Sequence, residues 1–533
     1  WGVADGARKL QRITFWLKSE CADGSGTISV TVNGVTSNPL PFTVAPGTIY
    51  FISPSGNNSN NGLYATAQGG TNGPFRDIYR FSFRYNPSGD GQYLVYVRAG
   101  TYTTQDPGGD GTFAALRGPS GGPTKRKGLI AYPGETPTLN CSSVNRGAFW
   151  NADYAPYGRN SYLTYSKLRF LSGTIAIDVY GDYNRVIGNH FQDMLTSAWA
   201  GIVTVMNSKY TRVYGNWFEN CGYDSYKHNL YIITKDLSED VSSEYNYVGW
   251  NEFADPVGGS DNRGGAIFVR KESGMASSYV CRYIYIHDNY FHGGTMNFLE
   301  IGDGPEQSDL WVYNNIFTGG NSTNSMVSFR WTTNNANLYN NTFYLTGTPS
   351  VPLVEAIGNS PGTRVISRNN IFYGHAGQRF FGVEDGRSTV NSDRDLFYNA
   401  GGGTTLPSGT GITVTNPVAG DPGLAAPGSA DFHLTAGSRA IDVGNSSVSD
   451  TVTADQEGNA RPQGSGYDLG AFEYVTGSTP GDTTAPSVSV SAPAGGTTVS
   501  GSITVSAAAS DNVGVVGVQF LLDGQALGAD DTT

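Results

Sequence analysis

A chain of 533 residues with 72 glycines, 32 tyrosines and only 15% charged residues is too long for one ordinary core and too poor in helix formers for a helical protein. A formal charge of −12 argues against a nucleic-acid partner, because phosphates are bound by clustered Lys and Arg, and no apolar run reaches the length of a membrane span. Four cysteines, Cys21, Cys141, Cys221 and Cys281, without any C-x-x-C spacing, exclude a disulfide scaffold and a zinc ribbon.

In chain order, residues 1–46 close on "SGTISVTVNGVTSNPLPFTV", which resembles the last hairpin of an IPT/TIG-type immunoglobulin-like module and is expected to be part of one. The sequence opens at Trp1, as expected of a mature form or a fragment, so the expectation of secretion rests on such modules. From Ile49, "IYFISPSGNNSNNG", "GPFRDI" and "VYVRAGTY" resemble the opening of bacterial pectate-lyase-like β-helices. Lys125, Arg126 and Lys127 form the one basic triplet; an exposed loop is the plainer reading, and a patch for an anionic polymer is the other.

The strongest signal is a repeat of apolar alternation followed by Asn, any residue and Phe. It occurs at Asn189/Phe191, Asn216/Phe218, Asn251/Phe253, Asn289/Phe291, Asn315/Phe317, Asn341/Phe343 and Asn370/Phe372, with a degenerate copy at Asp395/Phe397. The steps are 27, 35, 38, 26, 26 and 29 residues, then 25. Such a period suits one coil of a three-sheeted solenoid, each coil giving a short strand to each sheet. Leucine-rich repeats have similar periods, but their Leu skeleton is absent. Stacked strands recur about every 4.8 Å, so an inward Asn can bond its equivalents in a ladder and Phe can stack in the core. These residues are read as structural.

If a coil needs about 26 residues, the steps of 35 and 38 contain insertions, and loops on a rigid scaffold are where function concentrates. They hold "CGYDSYKHNLYIITKD" and "DPVGGSDNRGGAIFVRKESG". Elimination from a uronate needs a cation for the carboxylate, a base, and an acid for the leaving oxygen. Lys227 or His228 is the preferred base. Arg270 or Arg263 would hold the carboxylate bidentately, Tyr226 or Tyr231 would protonate the leaving group, and Lys271 adds a cation. The competing reading is that all are solvated loop residues.

Aligned strands place Arg270, Glu300, Arg330 and Glu355 outward as an expected charge-alternating column. Arg330 and Glu355 are read as a surface ladder, while Arg270 and Glu300 stay with the site. Glu300 with Asp303 or Asp224 would suit a hydrolase, which needs two carboxyls several Å apart. Trp199, Trp250 and Trp331 are sugar-stacking faces or packed corners. Asp224, Asp236, Glu239 and Asp240 could hold Ca2+, but without a D-x-D-x-D-G spacing a solvated loop is the plainer reading. His287 and His292 are set aside as ligands, because a five-residue strand offset turns them to opposite faces. No metal ligand is nominated.

The segment "DFHLTAGSRAIDVG" with "EGNARPQGSGYDLGAFEY" resembles the closing part of secreted right-handed β-helices. Residues 476–485 read as a linker, and 486–533 resemble part of a bacterial immunoglobulin-like module. The expected fold is therefore an all-β, right-handed parallel β-helix over 47–475 with immunoglobulin-like modules at both ends. The β-helix resemblance implies action on polysaccharides by lyases, hydrolases or epimerases, or adhesion. The Asn-Thr-Asp and Asp-Asp set of polygalacturonases and the calcium-binding aspartates of calcium-dependent pectate lyases are not recognisable. The expected function is a secreted lyase of an acidic polysaccharide, with a hydrolase or a non-catalytic adhesive β-helix as alternatives. The expected state is a monomer.

Overall fold

The computed structural model describes residues 47–82, 93–108, 111–115, 126–144, 147–150, 160–195, 201–222, 228–235, 242–257, 265–272, 279–294, 297–302, 307–319, 325–330, 333–347, 351–358, 362–383 and 386–475. It also describes flanking segments within 24–44 and 487–526. Among the described residues, the chain from 47 onward winds through three parallel sheets. Sheet A has 12 strands, sheet B has 10 and sheet C has 14. One coil shows the path: Arg212–Tyr214 in sheet C, Asn216 at the corner, Trp217–Glu219 in sheet A, His228–Thr234 in sheet B, and Tyr247–Gly249 back in sheet C. This is the expected right-handed parallel β-helix.

The ladder forms as the repeat predicts. Asn216 donates its Nδ2 to Asn251 Oδ1 at 2.9 Å, Asn251 to Asn289 at 2.9 Å, Asn289 to Asn315 at 2.9 Å and Asn315 to Asn341 at 3.0 Å. The same oxygens accept the backbone N–H of the Asn in the preceding coil. Each amide is buried yet fully employed, which is why Asn recurs rather than an apolar residue. Phe residues stack beside them: Phe191–Phe218, Phe218–Phe253, Phe253–Phe291 and Phe291–Phe317 lie 4.7 to 4.8 Å apart.

The steps of 35 and 38 hold the seven-residue sheet B strands His228–Thr234 and Gly265–Lys271, and the segments beside them lie outside the described residues. These steps also hold the short strand Ser243–Glu244, which pairs with Cys281–Arg282. Cys141, Cys221 and Cys281 are buried. Residues 424–474 run back over the later coils. Asn314 Nδ2 donates to the Ala454 carbonyl at 2.8 Å, Asn340 Nδ2 to that of Asp468 at 2.8 Å, and Arg394 to that of Val443 at 2.7 Å. Within this strap Arg461 and Glu473 form a fully buried ion pair at 2.8 Å.

The chain divides into two units, 1–474 and 475–533. In the second, Ser487–Ala492 pairs antiparallel with Ser506–Ser510, and Leu521–Leu522 with Gln525–Ala526. At the N-terminus Gly24–Ile28 pairs antiparallel with Leu40–Val44, which suits the expected hairpin.

Candidate functional site on the outer face of sheet B

Sheet B pairing fixes which side chains meet. Ile267, Leu299, Val327 and Val354 form one inward row, and Val269, Ile301, Phe329 and Ala356 another, all buried in the core. The outward row between them is Phe268, Glu300, Ser328 and Glu355. Arg270 and Arg330 follow Val269 and Phe329, and Arg330 pairs with Ile357. The expected single column of Arg270, Glu300, Arg330 and Glu355 is therefore two rows, offset by two residues.

Arg330 bridges the rows diagonally. Its Nε lies 3.6 Å from Glu300 Oε1 and donates to Ser328 Oγ at 3.1 Å, while its Nη2 lies 4.0 Å from Glu355 Oε2. The Ser328 hydroxyl donates to Glu355 Oε2 at 3.2 Å. Glu300 is 6% exposed and Ser328 fully buried, while the Arg330 side chain is one-third exposed, so this is an acid–guanidinium–acid cluster whose acids are the more withdrawn from water. Arg330 and Glu355, read from sequence as a solvated ladder, are at its centre.

Asn297 lies in register with Gly265 at the start of the same strands. It is fully buried, and neither its Oδ1 nor its Nδ2 has a protein partner; the Ser325 hydroxyl is in the same condition. Each unpaired buried group costs about 1–3 kcal/mol, and native proteins meet such groups with water or ligand. Neither residue was singled out from sequence. The usable signal was their place just before the apolar pairs Phe298/Leu299 and Met326/Val327.

His228 is 2% exposed, with its ring 4.4 Å from Phe268 and 5.3 Å from Tyr231. Its Nδ1 accepts the Gly265 N–H at 3.2 Å. Burial, with a smaller repulsion from Arg270, pushes its pKa down to about 3. The ring is therefore neutral at pH 7 with its proton on Nε2, and the only lone pair is spent on Gly265. That geometry makes His228 a positioning group and not a base. Tyr231 stacks on Phe268 at 5.5 Å and joins Ile233 and Met206 in an outer apolar patch.

Lys271 shares the inward parity of Val269 and is fully buried; a polymer on the outer face cannot reach it. Its expected binding role is lost to strand alternation. Lys227, Asp224, Tyr226, Arg263 and Asp303 lie outside the described residues, as do Trp199, Trp331 and the acidic residues Asp236, Glu239 and Asp240. His287 and His292 fall on different sheets, C and A, with His287 bound to Asp288 at 2.6 Å. No group of metal-holding side chains occurs among the described residues. A cleft of about 500 Å³ on sheet A, lined by Tyr290, His292, Thr318 and Pro427 among others, has neither Lys nor Arg among the described residues of its wall. It does not supply the cation a uronate carboxylate requires.

The sequence profile of the bacterial Ig domain matches residues 486–533. No curated protein matches the chain. Among solved structures the chain is similar to pectate lyase Pel9A, at 16% identity and a TM-score of 0.41 over 81% of this chain and 97% of that one. A rhamnogalacturonan lyase is similar at 12% identity and a TM-score of 0.37, over 79% and 96%. PfbA, a surface adhesin of Streptococcus pneumoniae, is similar at 12% identity and a TM-score of 0.29, over 61% and 82%. The parallel β-helix of this chain is read from its own three sheets, and a bacterial Ig domain follows it in the sequence.

Proposed function

We propose that this chain is an extracellular enzyme that cleaves a uronate-containing polysaccharide by β-elimination on the outer face of sheet B. The observation that carries the reading is the cluster of Glu300, Arg330 and Glu355 on the outward side of sheet B, in the coils that follow the two oversized ones. Arg330 is compensated by its two carboxylates, so the cation for a substrate carboxylate has to come from outside the cluster. Arg270, one row along the same face, is assigned to the uronate carboxylate with Arg263, and Asp224 and Asp303 to sugar hydroxyls. With His228 spent on Gly265, the base is assigned to its neighbour Lys227, and the leaving oxygen to Tyr226 or Tyr231. The expected substrate is an acidic glycan, and Ca2+ remains an open additive.

The test is incubation with a panel of uronate polymers. A rise in the ultraviolet band of unsaturated uronates supports elimination, and its loss in Arg270→Gln with unchanged thermal unfolding supports the site. A second reading, hydrolysis, is favoured by the two carboxyls flanking Arg330; new reducing ends without that absorbance would select it. Silence across acidic and neutral glycans would select adhesion and overturn the proposal.

A further inference from the structure

Sheet C presents a second surface, outside the region assigned to cleavage. At the corner entering this sheet, Tyr162, Tyr183, Tyr210, Tyr245 and Tyr283 occupy equivalent positions in successive coils, every one with a positive φ of 53 to 62°. A left-handed conformation disfavours any residue but Gly, at roughly 1–2 kcal/mol, so retaining Tyr there coil after coil has to be offset. The rings stack 4.7 to 5.1 Å apart and within 17° of parallel. Their faces are therefore turned to one another, and a ligand meets their edges and hydroxyls. Tyr183 and Tyr210 are each 38% exposed.

Two residues along, the outward row of the same sheet holds Arg185 and Arg212 as direct neighbours, followed by Tyr247 and Tyr285. Arg126 completes the group, its guanidinium 5.2 Å from the Tyr162 ring centre and its Nη1 donating to the Tyr183 carbonyl at 3.4 Å. None of the three arginines has a carboxylate within ion-pair distance among the described residues; the nearby Glu244 is taken by Lys209 at 2.5 Å and Arg282 at 2.6 Å. Burial and mutual repulsion push the Arg185 pKa down to about 10. Three mutually repelling guanidiniums with no carboxylate partner among the described residues, on a chain of net charge −12, do not favour folding by themselves, and their charge suits an oxyanion-bearing ligand. A linear ligand fits better than a compact one, because the tyrosine row repeats at the strand spacing of about 4.8 Å along the solenoid axis.

We propose that the Arg126–Arg185–Arg212 cluster and the adjoining tyrosine row bind an acidic polysaccharide chain at a site separate from the cleavage face. The arginines grip its carboxylate or sulfate groups, and the tyrosine hydroxyls bond the sugars that follow. The proposal stands whether or not sheet B cleaves that chain.

The experiment is affinity gel electrophoresis of the whole protein in polygalacturonate, chondroitin sulfate, carboxyl-reduced polygalacturonate or duplex DNA. Retardation is expected in one or both acidic glycans, which tells carboxylate from sulfate, and not in the neutral polymer. The double variant Arg185→Gln/Arg212→Gln should weaken it at least tenfold, with Arg185→Lys/Arg212→Lys retaining part of it. Both should keep the wild-type unfolding temperature and any turnover of a short uronate oligosaccharide. Arg270→Gln should leave retardation intact, so failure of one site is distinguishable from failure of the other. Equal retardation of the Gln variant, equal retardation in the neutral polymer, retardation in DNA without either glycan, or none at all would overturn the proposal.

Discussion

Asp395 ends the asparagine ladder with a carboxyl where the seven coils from Asn189 to Asn370 have an amide. Its Oδ1 accepts the Asn370 backbone N–H at 2.8 Å and Nδ2 at 2.9 Å, and its Oδ2 accepts the hydroxyls of Ser367 and Ser392, both at 2.6 Å. Despite four donors, full burial dominates and raises its pKa from 3.8 to about 6. A carboxyl whose folded pKa lies above its unfolded value binds the proton more tightly when folded. Its contribution is thus complete below the unfolded pKa and is lost as pH rises through about 6. Roughly two pK units correspond to about 3 kcal/mol. Asp395→Asn keeps the two bonds from Asn370 and removes the buried charge, and the serine hydroxyls can rotate to accept from the new amide. At pH 8 the variant should therefore unfold about 3 °C above wild type, given about 2 cal/mol/K of unfolding entropy per residue over a coil region of this size. The advantage should vanish by pH 4. Calorimetry at the two pH values checks this; an Asn variant less stable than wild type at pH 8 would show that the hydroxyl bonds outweigh the burial of charge.

Asn251→Ala removes bonds to Asn216 N, Asn216 Nδ2, Val213 O and Asn289 Oδ1; a loss of about 4 kcal/mol is expected in urea unfolding at roughly 1 kcal/mol per bond. Because His228 stays neutral down to about pH 3, the pH–rate profile of any cleavage should show no limb near 6.5 from this ring, and His228→Gln should leave the profile's shape unchanged while lowering its height. Lys271→Ala should lower the unfolding temperature without raising KM, since the side chain is fully buried; a raised KM with unchanged stability would return Lys271 to the binding face. Tyr283→Gly relieves the positive φ of 53° but breaks the ring stack with Tyr245. A stabilised variant in thermal unfolding would mean that the tyrosine row is held for ligand rather than for folding.

The architecture was readable because the ladder requires an Asn at one place in each coil, and the core requires Phe two residues on. Insertion lengths were readable for the same reason, since Asn216, Asn251 and Asn289 bracket them. The inward rows of sheet B follow from alternation. Outward positions carry no such constraint: alternation turns Arg270 and Glu300 outward without fixing their row, and the pairing of Val269 with Ile301 sets them two residues apart. Lys271 illustrates the converse, a charged residue taken for surface although its parity is that of Val269. The tyrosine row has the period of the Asn ladder and was legible in principle. It was passed over because a left-handed tyrosine is not a feature that alternation announces.

The strap over the later coils changes how this solenoid should come apart. In a stack where each rung touches only its neighbours, disorder can begin at an end and advance one rung at a time. Here residues 440–474 tie the rungs of Asn314, Asn340, Asn369 and Arg394 to one segment. Fraying of the last rung must then strip a tether shared by rungs deeper in the stack. The C-terminal half of the β-helix is accordingly expected to melt as a single cooperative block, with amide exchange protection nearly level across it and not tapering toward its end.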